Sequence, residues 1–566
     1  MVIEASLSRD IHDFKHKEAR VSLKIDNGVV RSYIEGVTVP DVNFSAFFGD
    51  VFTRFKDETA LVDAKTGAQY TFGELHDAAL RVAAGLRRLG LRTGDIICFH
   101  AANGADLVIA MCGAFFAGGT AAMAKTHLTE REIYYQFQDS RPKFVVTDLY
   151  DAGRVVKAYE RITSVQAVIV TTGSYEGTLS LSELVKTPLD NYEAPVDVSP
   201  DTTMAIIYSS GSTGLPKGVQ LTQRNVIAQV TSYGYLDASI FQKGDILLGS
   251  AALMHVGGFW LTMCHLGHGC KVVLVHKPDF SLILPAIEKY KATSILLYPT
   301  FMQKLNAYPL LSQSDTRSLK KVMIAGNVVT GMLLQSITRK LQLKGVIQAY
   351  GMTELSGCIS FSIPRLDDFK SVGKPAPFIE MKVVDTHSNK NLGPLEKGEL
   401  FVKGPNTFKG YLGRPEETAR VYKDGFIRTG DTGFYTPDGR FFVCGRLKEL
   451  IKCMDQQVAP AELEEVLAAD TDVRHVVVAG VPHPEYGEAA RAFVVLERYL
   501  GDDKEESKIA ARLRALVADQ LSFHKHLHGG VEFLESIPHT DSGKDLRSAL
   551  QQSYAQKRVL KNIQAH

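Results

Sequence analysis

The chain has 566 residues, more than one hydrophobic core usually supports, so the sequence indicates at least two domains. Hydrophobic residues make up 45% and charged residues 22%, which excludes a disordered or fibrous chain. The 64 basic and 63 acidic side chains nearly cancel, which excludes a global field that attracts nucleic acid or an acidic membrane, so any anion site must be local.

The cysteines and the chain ends bear on the compartment. Seven cysteines are scattered and odd in number, which favours a reducing environment over a disulfide framework. The first twenty residues lack an apolar signal core, and the sequence ends in NIQAH instead of the peroxisomal tripeptide Ser-Lys-Leu. We therefore expect a cytoplasmic protein, with peroxisomal import by another route as the alternative.

The first part of the sequence alternates helical and strand patterns. A capping box of Thr71 and Glu74 opens a helix pattern that runs to Gly90. The uncharged run 107–124 has about the length of a membrane span, but its paired glycines 118–119 predict a buried helix followed by a buried strand. Short β-branched runs, DIICFH, PKFVVTD, QAVIVTT, KVVLVH and SILLYPT, alternate with helical stretches and predict an α/β fold with largely parallel sheets.

The pattern changes after about residue 380. Short strands separated by Gly, Pro and Asp turns, such as GELFVKG and GRFFVCG, predict an antiparallel, β-barrel-like region. A further mixture of strands and helices follows GRLKELIK. We therefore predict a large N-terminal domain, residues 1–445, and a small α+β C-terminal domain, residues 446–566.

The stretch YSSGSTGLPKGV at 208–219 has three interpretations. A Walker loop needs Gly directly before its lysine and Ser or Thr directly after it, whereas Lys217 lies between Pro216 and Gly218. A plain turn between the strand MAIIY and a following helix is the second interpretation. The third is an anion-binding loop, in which hydroxyls, glycine N–H groups and a lysine surround phosphate: Ser209, Ser210, Gly211, Ser212, Thr213, Gly214 and Lys217.

Four further motifs follow this stretch in a fixed order: QAYGMTE at 348–354, RTGDTGFYTPDGRFFVCGRLKELIK at 428–452, VAPAELE at 458–464 and HTDSGKDLR at 539–547. Together the five motifs resemble the adenylate-forming superfamily, which comprises acyl-CoA synthetases, adenylation domains and firefly luciferase. The resemblance spans nearly the whole chain. GRLKELIK followed by QVAPAELE is most similar to the 4-coumarate:CoA ligase-like and luciferase-like subgroup.

The resemblance implies a nucleotide site. The loop 209–217 would hold the β- and γ-phosphates of ATP, Thr353 would contact the α-phosphate, and Glu354 would bind Mg²⁺. The adenine pocket would be lined by Ala349, Tyr350 and Gly351, with Tyr350 stacked on the base. The ribose and phosphate side of the site would be formed by Asp431, Arg446 and Lys452.

The resemblance also implies the acyl side of the site and a moving part. His255 would lie near the acyl carboxylate, in a pocket that includes Phe259, Gly326, Asn327 and Gly351. Lys544 would bridge the carboxylate and α-phosphate oxygens as a catalytic residue. Lys448 matches the hinge about which the mobile C-terminal domain turns between two half-reactions.

The predicted activity is that of an ATP-dependent, AMP-forming acid:CoA ligase, acting on a fatty or aryl carboxylic acid with ATP, Mg²⁺ and coenzyme A. The alternatives are a luciferase-like monooxygenase that reacts the adenylate with O₂, a non-enzymatic acyl or nucleotide binder, and a carrier-loading adenylation enzyme. Two positions depart from the family pattern. Asp455 replaces a glycine beside the pantetheine arm, and Gln229 replaces an arginine of firefly luciferases, which argues against efficient light emission.

Two histidine-rich stretches raise the question of metal binding. CHLGHGC at 264–270 packs four candidate ligands within seven residues, an awkward spacing for zinc, so we do not assign a metal there. FHKHLHG at 523–529 places histidines at every second position and indicates a solvated loop.

Overall fold

The computed structural model describes residues 20–126, 128–190, 192–209, 216–327, 329, 331–365, 369–454, 456–498, 503–539 and 545–564. Strands and helices alternate through most of this chain, and the strands form four sheets within the described residues.

The strands of the described residues are, in chain order, β1 Val21–Asp26, β2 Val29–Ile34, β3 Thr59–Asp63, β4 Gln69–Thr71, β5 Ile96–His100, β6 Thr120–Met123, β7 Phe144–Thr147, β8 Ala167–Val170, β9 Leu179–Ser180, β10 Thr203–Ser209, β11 Lys217–Thr222, β12 Leu247–Gly249, β13 Val272–Leu274, β14 Ser294–Leu297, β15 Lys321–Ile324, β16 Ile347–Met352, β17 Gly357–Phe361, β18 Lys374–Pro375, β19 Glu380–Val384, β20 Gly398–Lys403, β21 Gly410–Tyr411, β22 Tyr422–Lys423, β23 Phe426–Tyr435, β24 Phe441–Arg446, β25 Ile451–Cys453, β26 Gln456–Val458, β27 Val473–His483, β28 Gly487–Leu496 and β29 Gly530–Phe533.

The α-helices of the same residues are Phe44–Arg54, Phe72–Arg88, Ala105–Phe116, Glu130–Ser140, Ala152–Tyr159, Leu181–Leu184, Gln223–Gly234, Val256–Leu266, Phe280–Tyr290, Pro299–Ala307, Gly331–Lys340, Pro415–Val421, Pro460–Leu467, Asp503–Gln520 and Arg547–Gln564. Short 3₁₀ turns lie at Leu311–Gln313, Thr353–Leu355, Leu447–Glu449 and Phe523–Lys525.

Two large sheets confirm the predicted α/β class. One has eight strands in the order β21-β11-β10-β6-β5-β7-β8-β9, and its stretch from β10 to β9 is parallel. The other has nine strands in the order β18-β17-β16-β15-β14-β12-β13-β3-β4, parallel from β16 to β3. The parallel strands are short apolar runs because helices connect and cover them, which leaves both faces buried.

Local sequence signals account for several element boundaries. Thr71 caps the helix Phe72–Arg88, its side chain accepts from the Glu74 N–H, and the Glu74 carboxylate accepts from the Thr71 N–H, as the capping box predicts. The uncharged run 107–124 forms most of the buried helix Ala105–Phe116 and the buried strand β6, again as predicted. Among the described helices, none combines the length and the apolar composition that a bilayer crossing requires.

A seven-stranded antiparallel sheet forms the third layer, in the order β1-β2-β19-β20-β23-β22, with β24 paired to β23. Its strands after residue 380 follow the antiparallel prediction. The sequence reasoning missed that β1 and β2, more than 300 residues earlier, complete this sheet. Their pairing with β19 is a long-range contact that no local pattern encodes.

The fourth sheet belongs to the C-terminal part of the chain. Its strands run in the order β26-β25-β28-β27, with β29 beside β28, and the helices Pro460–Leu467 and Asp503–Gln520 pack against it. A separate buried cluster that includes Ile451, Leu463 and Leu513 forms its core. The change of sheet occurs between Arg446 and Ile451. The predicted domain boundary at 445/446 stays a prediction, because a change of sheet does not show where one part of the chain moves relative to the other.

Candidate active site

The candidate site lies where parallel strands of the nine-stranded sheet end. Tyr298 directly follows β14, Gly326 comes two residues after β15, and Gly351 is the second-last residue of β16. Neighbouring parallel strands end at the same edge of a sheet, so these residues share that edge. In open α/β sheets, ligands bind in the crevice outside the carboxyl ends of the strands.

The phosphate loop connects two strands of the eight-stranded sheet. β10 and β11 are antiparallel neighbours, and Ser209 is paired with Lys217 across the base of the loop. Of the predicted phosphate-binding residues, Ser210, Gly211, Ser212, Thr213 and Gly214 lie outside the described residues. A strand follows the loop, so the interpretation as a plain strand-to-helix turn was wrong.

Lys217 lies among charged and aromatic groups at the end of this loop. Its Nζ forms an ion pair with the Glu417 carboxylate and stands 5.3 Å from the centre of the Tyr411 ring. The hydrogen bond from Lys217 holds the pKa of Glu417 below its ordinary value. An incoming phosphate would therefore compete with Glu417 for the Lys217 ammonium group.

Glu354 occupies the short turn that follows β16, next to Thr353. Its carboxylate is buried, and its Oε1 accepts hydrogen bonds from the Tyr411 hydroxyl at 2.8 Å and the Ser209 hydroxyl at 3.5 Å. Burial, followed by the charge of Glu354, raises the pKa of Tyr411, so this phenol remains a proton donor. Both hydroxyls donate to Oε1, and no described residue donates to Oε2.

Tyr350 and Asp431 form a second buried pair beside the loop. The Tyr350 hydroxyl donates to Asp431 Oδ2 at 2.7 Å, and the Arg446 Nε lies 2.9 Å from Asp431 Oδ1. Asp431 and Arg446 are register partners on β23 and β24, which places the two side chains together. Burial and the neighbouring Asp431 carboxylate raise the pKa of Tyr350 well above its ordinary value. The structure thus brings together three residues that the sequence assigned to nucleotide binding, namely an aromatic residue, a carboxylate and a guanidinium.

His255 caps the helix Val256–Leu266 and faces Tyr298. The His255 Nδ1 accepts from the Gly257 N–H at 3.3 Å and lies 2.8 Å from the Tyr298 hydroxyl. A backbone N–H can only donate, so Nδ1 is the unprotonated nitrogen and the neutral ring carries its proton on Nε2. Burial raises the pKa of Tyr298, which keeps its hydroxyl protonated and able to donate to Nδ1.

The remaining predicted pocket residues lie in different environments. Phe259 is buried in the core, with its ring edge-on to Phe115 at 6.3 Å. Gly326 has a positive φ of 102°, a conformation that favours glycine, and with Asn327 it lies exposed beyond β15. A Cβ at Gly351 would collide with the carbonyl of Gly357 across the β16–β17 hairpin, so this position requires close backbone approach. Ala349, predicted beside the adenine, is buried in β16.

Gln229 has a structural contact that the sequence did not predict. Its side-chain N–H donates to the Leu355 carbonyl at 2.8 Å, within a buried environment. Leu355 ends the turn that bears Thr353 and Glu354. The amide of Gln229 therefore ties a core helix to the turn that holds the candidate metal ligand.

The predicted hinge and the last lysines fall in the C-terminal part. Lys448 lies in the 3₁₀ turn Leu447–Glu449, where burial lowers its pKa below the ordinary value. Lys452 is exposed on β25, and its backbone N–H donates to Glu488. Lys544 and Asp455 lie outside the described residues. Arg547, three residues after Lys544, bonds to Glu449 in this turn at 3.0 Å, which links the last motif to the hinge region.

Three residues of the site escaped the sequence reasoning: Tyr298, Tyr411 and Glu417. Each acts through a predicted residue, namely His255, Glu354 and Lys217. Tyr298 belongs to the strand run SILLYPT, Tyr411 and Glu417 belong to none of the five motifs, and a tyrosine or a glutamate by itself has no local pattern that marks it. To find them from the sequence, one would have to know that β21 pairs with β11 and that β12 pairs with β14.

Comparison with known proteins identifies the family of this chain. Residues 48–412 match the AMP-binding enzyme family, and residues 462–544 match the AMP-binding enzyme C-terminal domain. The chain is 32% identical over 499 residues to a luciferin 4-monooxygenase of Nipponoluciola cruciata, covering 86% of this chain and 89% of that protein. It is 31% identical over 533 residues to 4-coumarate-CoA ligase 1 of Narcissus pseudonarcissus, covering 92% and 96%.

A solved structure extends the comparison to the fold. ATP-bound MatB from Rhodopseudomonas palustris superimposes with a TM-score of 0.80 at 26% identity, covering 91% of this chain and 99% of that one. The chain therefore belongs to the AMP-binding enzyme family, that of the adenylate-forming enzymes. The resemblance predicted from the five motifs is confirmed.

Proposed function

We propose that this protein is an ATP-dependent, AMP-forming acid:CoA ligase that activates an aryl or fatty carboxylic acid. The observation that carries the proposal is the contact between Ser209 and Glu354. These residues are 145 positions apart, yet the Ser209 hydroxyl lies 3.5 Å from the Glu354 carboxylate. The start of an anion loop and a buried carboxylate thus meet at one point, which suits binding of a metal-complexed polyphosphate.

The first half-reaction joins two anions. A carboxylate oxygen of the acid attacks the α-phosphorus of ATP, the bond to the β-phosphate oxygen breaks, and pyrophosphate leaves. Positive groups must offset the charge that gathers on the α-phosphate, and the reacting atoms must be aligned. Lys217, Arg446 and Lys544 are our candidates for that charge, and the N–H and hydroxyl of Thr353 for positioning the α-phosphate.

The nucleoside part of ATP has candidate partners on the antiparallel sheet. Asp431 is our candidate for the ribose hydroxyls, because an ionised carboxylate offers about four acceptor sites on its two oxygens. Tyr350, whose hydroxyl donates to Asp431, is our candidate for stacking on the adenine. Ala349 and Gly351 would flank that ring, where small side chains leave room for the base.

The Glu354 carboxylate fits a magnesium ion. Mg²⁺ prefers oxygen ligands and is usually held by one or two carboxylates together with substrate phosphates. Two hydroxyls donate to Oε1 of Glu354 and fix its carboxylate, so Oε2 is our candidate for the oxygen that would bind the metal ion. When bound, Mg²⁺ would neutralise phosphate charge, while the residues of this chain orient the acid and the nucleotide.

The second half-reaction would transfer the acyl group. The thiol of coenzyme A attacks the carbonyl carbon of the adenylate, and AMP leaves with its bonding electron pair. The 4-coumarate-CoA ligases among the relatives support this step. Rotation about Lys448 would present the C-terminal part to the adenylate, and Asp455 is the residue that could slow passage of the pantetheine arm.

A luciferase-like oxygenation is the second candidate, because relatives named luciferin 4-monooxygenase match as well as the ligases do. Gln229 counts against this candidate. It stands where firefly luciferases have an arginine, and its amide donates to the Leu355 carbonyl. Light emission with luciferin, ATP and Mg²⁺ would favour this candidate over the ligase.

The test is pyrophosphate release from ATP with a panel of aryl and fatty acids, with and without coenzyme A. We expect release that depends on the acid, and formation of AMP and a thioester when coenzyme A is present. Lys544→Ala is the inactive control: it should lose most adenylate formation while it still binds ATP. Acid-independent release, or none with any acid, would refute the ligase proposal. Adenylate without thioester would point to Asp455 as the obstacle to the second step.

A further inference from the structure

Two histidines and an aspartate cluster in the C-terminal part of the chain. The side chains are those of His475, His539 and Asp545, and one potential ligand atom from each lies within 4.8 Å of the others. Within the described ranges, no other group of three histidine, cysteine or acidic side chains meets that condition.

Long-range folding brings these three residues together. His475 lies on β27, while His539 and Asp545 pair as an isolated antiparallel bridge. The bridge closes the segment 539–545, and the Leu546 N–H donates to the Pro538 carbonyl just beyond it. The side chains of His475, His539 and Asp545 are 16%, 29% and 13% exposed, so an ion can reach them from solvent.

The two distances to the Asp545 carboxylate suit metal coordination better than hydrogen bonding. Nε2 of His475 and Nδ1 of His539 each lie 3.4 Å from Oδ1 of Asp545. That exceeds the usual N–H···O distance of about 2.7–3.2 Å. By contrast, a tetrahedral zinc ion with bonds of about 2.0–2.1 Å separates its ligand atoms by about 3.3–3.4 Å.

The Asp545 oxygen has no donor within the described residues. Its Oδ1 is buried and accepts no hydrogen bond from them. Arg547 is two residues away, but its N–H groups are directed to the carboxylates of Glu464 and Glu449 and to the Val478 carbonyl. A buried carboxylate oxygen without a donor is costly, and a cation between the three side chains would remove that cost.

We propose that His475, His539 and Asp545 bind one divalent transition-metal ion, with Zn²⁺ the ion that fits best. Two imidazoles and a carboxylate are ligands that zinc commonly takes, and the fourth position would be filled by water. The ion joins β27 to both ends of the segment 539–545. Lys544, the predicted catalytic lysine, is the sequence neighbour of Asp545, so the ion fastens the base of the segment that contains this lysine.

Metal binding to the full-length chain tests the proposal. Protein stripped with a chelator is dialysed against buffered Zn²⁺, without ATP, acid or coenzyme A, and bound zinc is measured by atomic absorption. We expect about one ion per chain and a higher thermal midpoint in Zn²⁺. His475→Gln, His539→Asn and Asp545→Asn should each weaken binding at least tenfold and remove the thermal shift.

A double variant, His526→Ala with His528→Ala, is the matched control. It removes two histidines of the same C-terminal part whose ring nitrogens lie near the backbone carbonyls of Leu521 and Phe523, so zinc should bind it as tightly as the parent chain. Failure of the parent chain to bind zinc, or equal binding by the three ligand variants, would overturn the proposal. Loss of binding in the control alone would place the ion at the 523–529 stretch and overturn it too. Because no substrate is present, these outcomes do not depend on the ligase proposal.

Discussion

His265 should make the stability of this protein depend on pH in a way that can be calculated. The side chain is fully buried, its Nδ1 lies 2.9 Å from the Leu261 carbonyl, and it packs against Phe241 and Tyr233. Burial lowers the pKa of His265 from its ordinary 6.5 to about 4, with the carbonyl contact and Asp245 opposing the shift and Lys321 adding to it.

The sign follows from the proton count. Below pH 6.5 the unfolded chain binds a proton at His265, while the folded chain stays neutral until about pH 4. The unfolded state therefore gains stability as the pH falls, and the free energy of unfolding decreases across this window. With these two pKa values, the contribution of His265 to the free energy of unfolding falls by about 2 kcal/mol between pH 7 and pH 5. Relative to pH 7, it falls by about 3 kcal/mol once the pH is below 4.

Urea unfolding at pH 7 and pH 5, followed by fluorescence and circular dichroism, measures this loss. The matched variant is His265→Gln, which keeps a polar group near the Leu261 carbonyl but cannot titrate. Its free energy of unfolding is lower at pH 7, yet it should lose about 2 kcal/mol less than the parent chain on going to pH 5. Identical pH dependence of the two proteins would refute the reasoning, because then His265 would titrate equally in both states.

Three further predictions concern the candidate site. Tyr411→Phe removes a hydrogen bond to the charged Glu354, worth about 1.5 kcal/mol, so kcat/KM for ATP in pyrophosphate release should fall about tenfold. Tyr298→Phe removes the contact with His255, worth about 1 kcal/mol, and should lower kcat/KM for the acid about fivefold without changing KM for ATP. Gly351→Ala forces a Cβ onto the carbonyl across the β16–β17 hairpin and should lower the free energy of unfolding by about 1–3 kcal/mol in urea titrations.

Tyr422→Phe is the control for both tyrosine variants. Its hydroxyl donates to the neutral Phe408 carbonyl, and its ring stacks on that of Phe408 at 5.7 Å. The same chemical change at this position should leave the kinetic constants for ATP and for the acid within about twofold of the parent chain. If Tyr411→Phe behaved like this control, Glu354 would not need its phenol donor; if Tyr298→Phe did, His255 would not need the Tyr298 hydroxyl. Unchanged stability of Gly351→Ala would mean that the hairpin can open to admit a methyl group.

Much of the fold was predictable because local sequence patterns indicate where helices and strands begin and end. The capping box at Thr71 predicted a helix start to the residue, and the β-branched runs predicted parallel strands that the two large sheets contain. The candidate site was predicted through motif residues such as Glu354 and Asp431, whose neighbours in sequence are distinctive. Localisation, the domain boundary and the roles assigned to the site residues, Lys544 and Asp455 among them, stay predictions.

The sequence by itself determined the family and the alternation of helices and strands, and it supplied the candidate residues of the nucleotide site. These depend on residue types at short spacings, which a linear pattern records. Tertiary structure alone decided which side chains act on the motif residues. Tyr411 reaches Glu354 because β21 pairs with β11, and Lys217 meets Glu417 for the same reason.

The histidines show the same division most clearly. The histidines of CHLGHGC and FHKHLHG are close in sequence, yet His265 is a buried core residue whose ring lies beside a backbone carbonyl. The three residues that do converge on one point, His475, His539 and Asp545, are separated by up to 70 positions. A coordination site needs directions and distances in space, and pairing of distant strands supplies those only when the chain has folded.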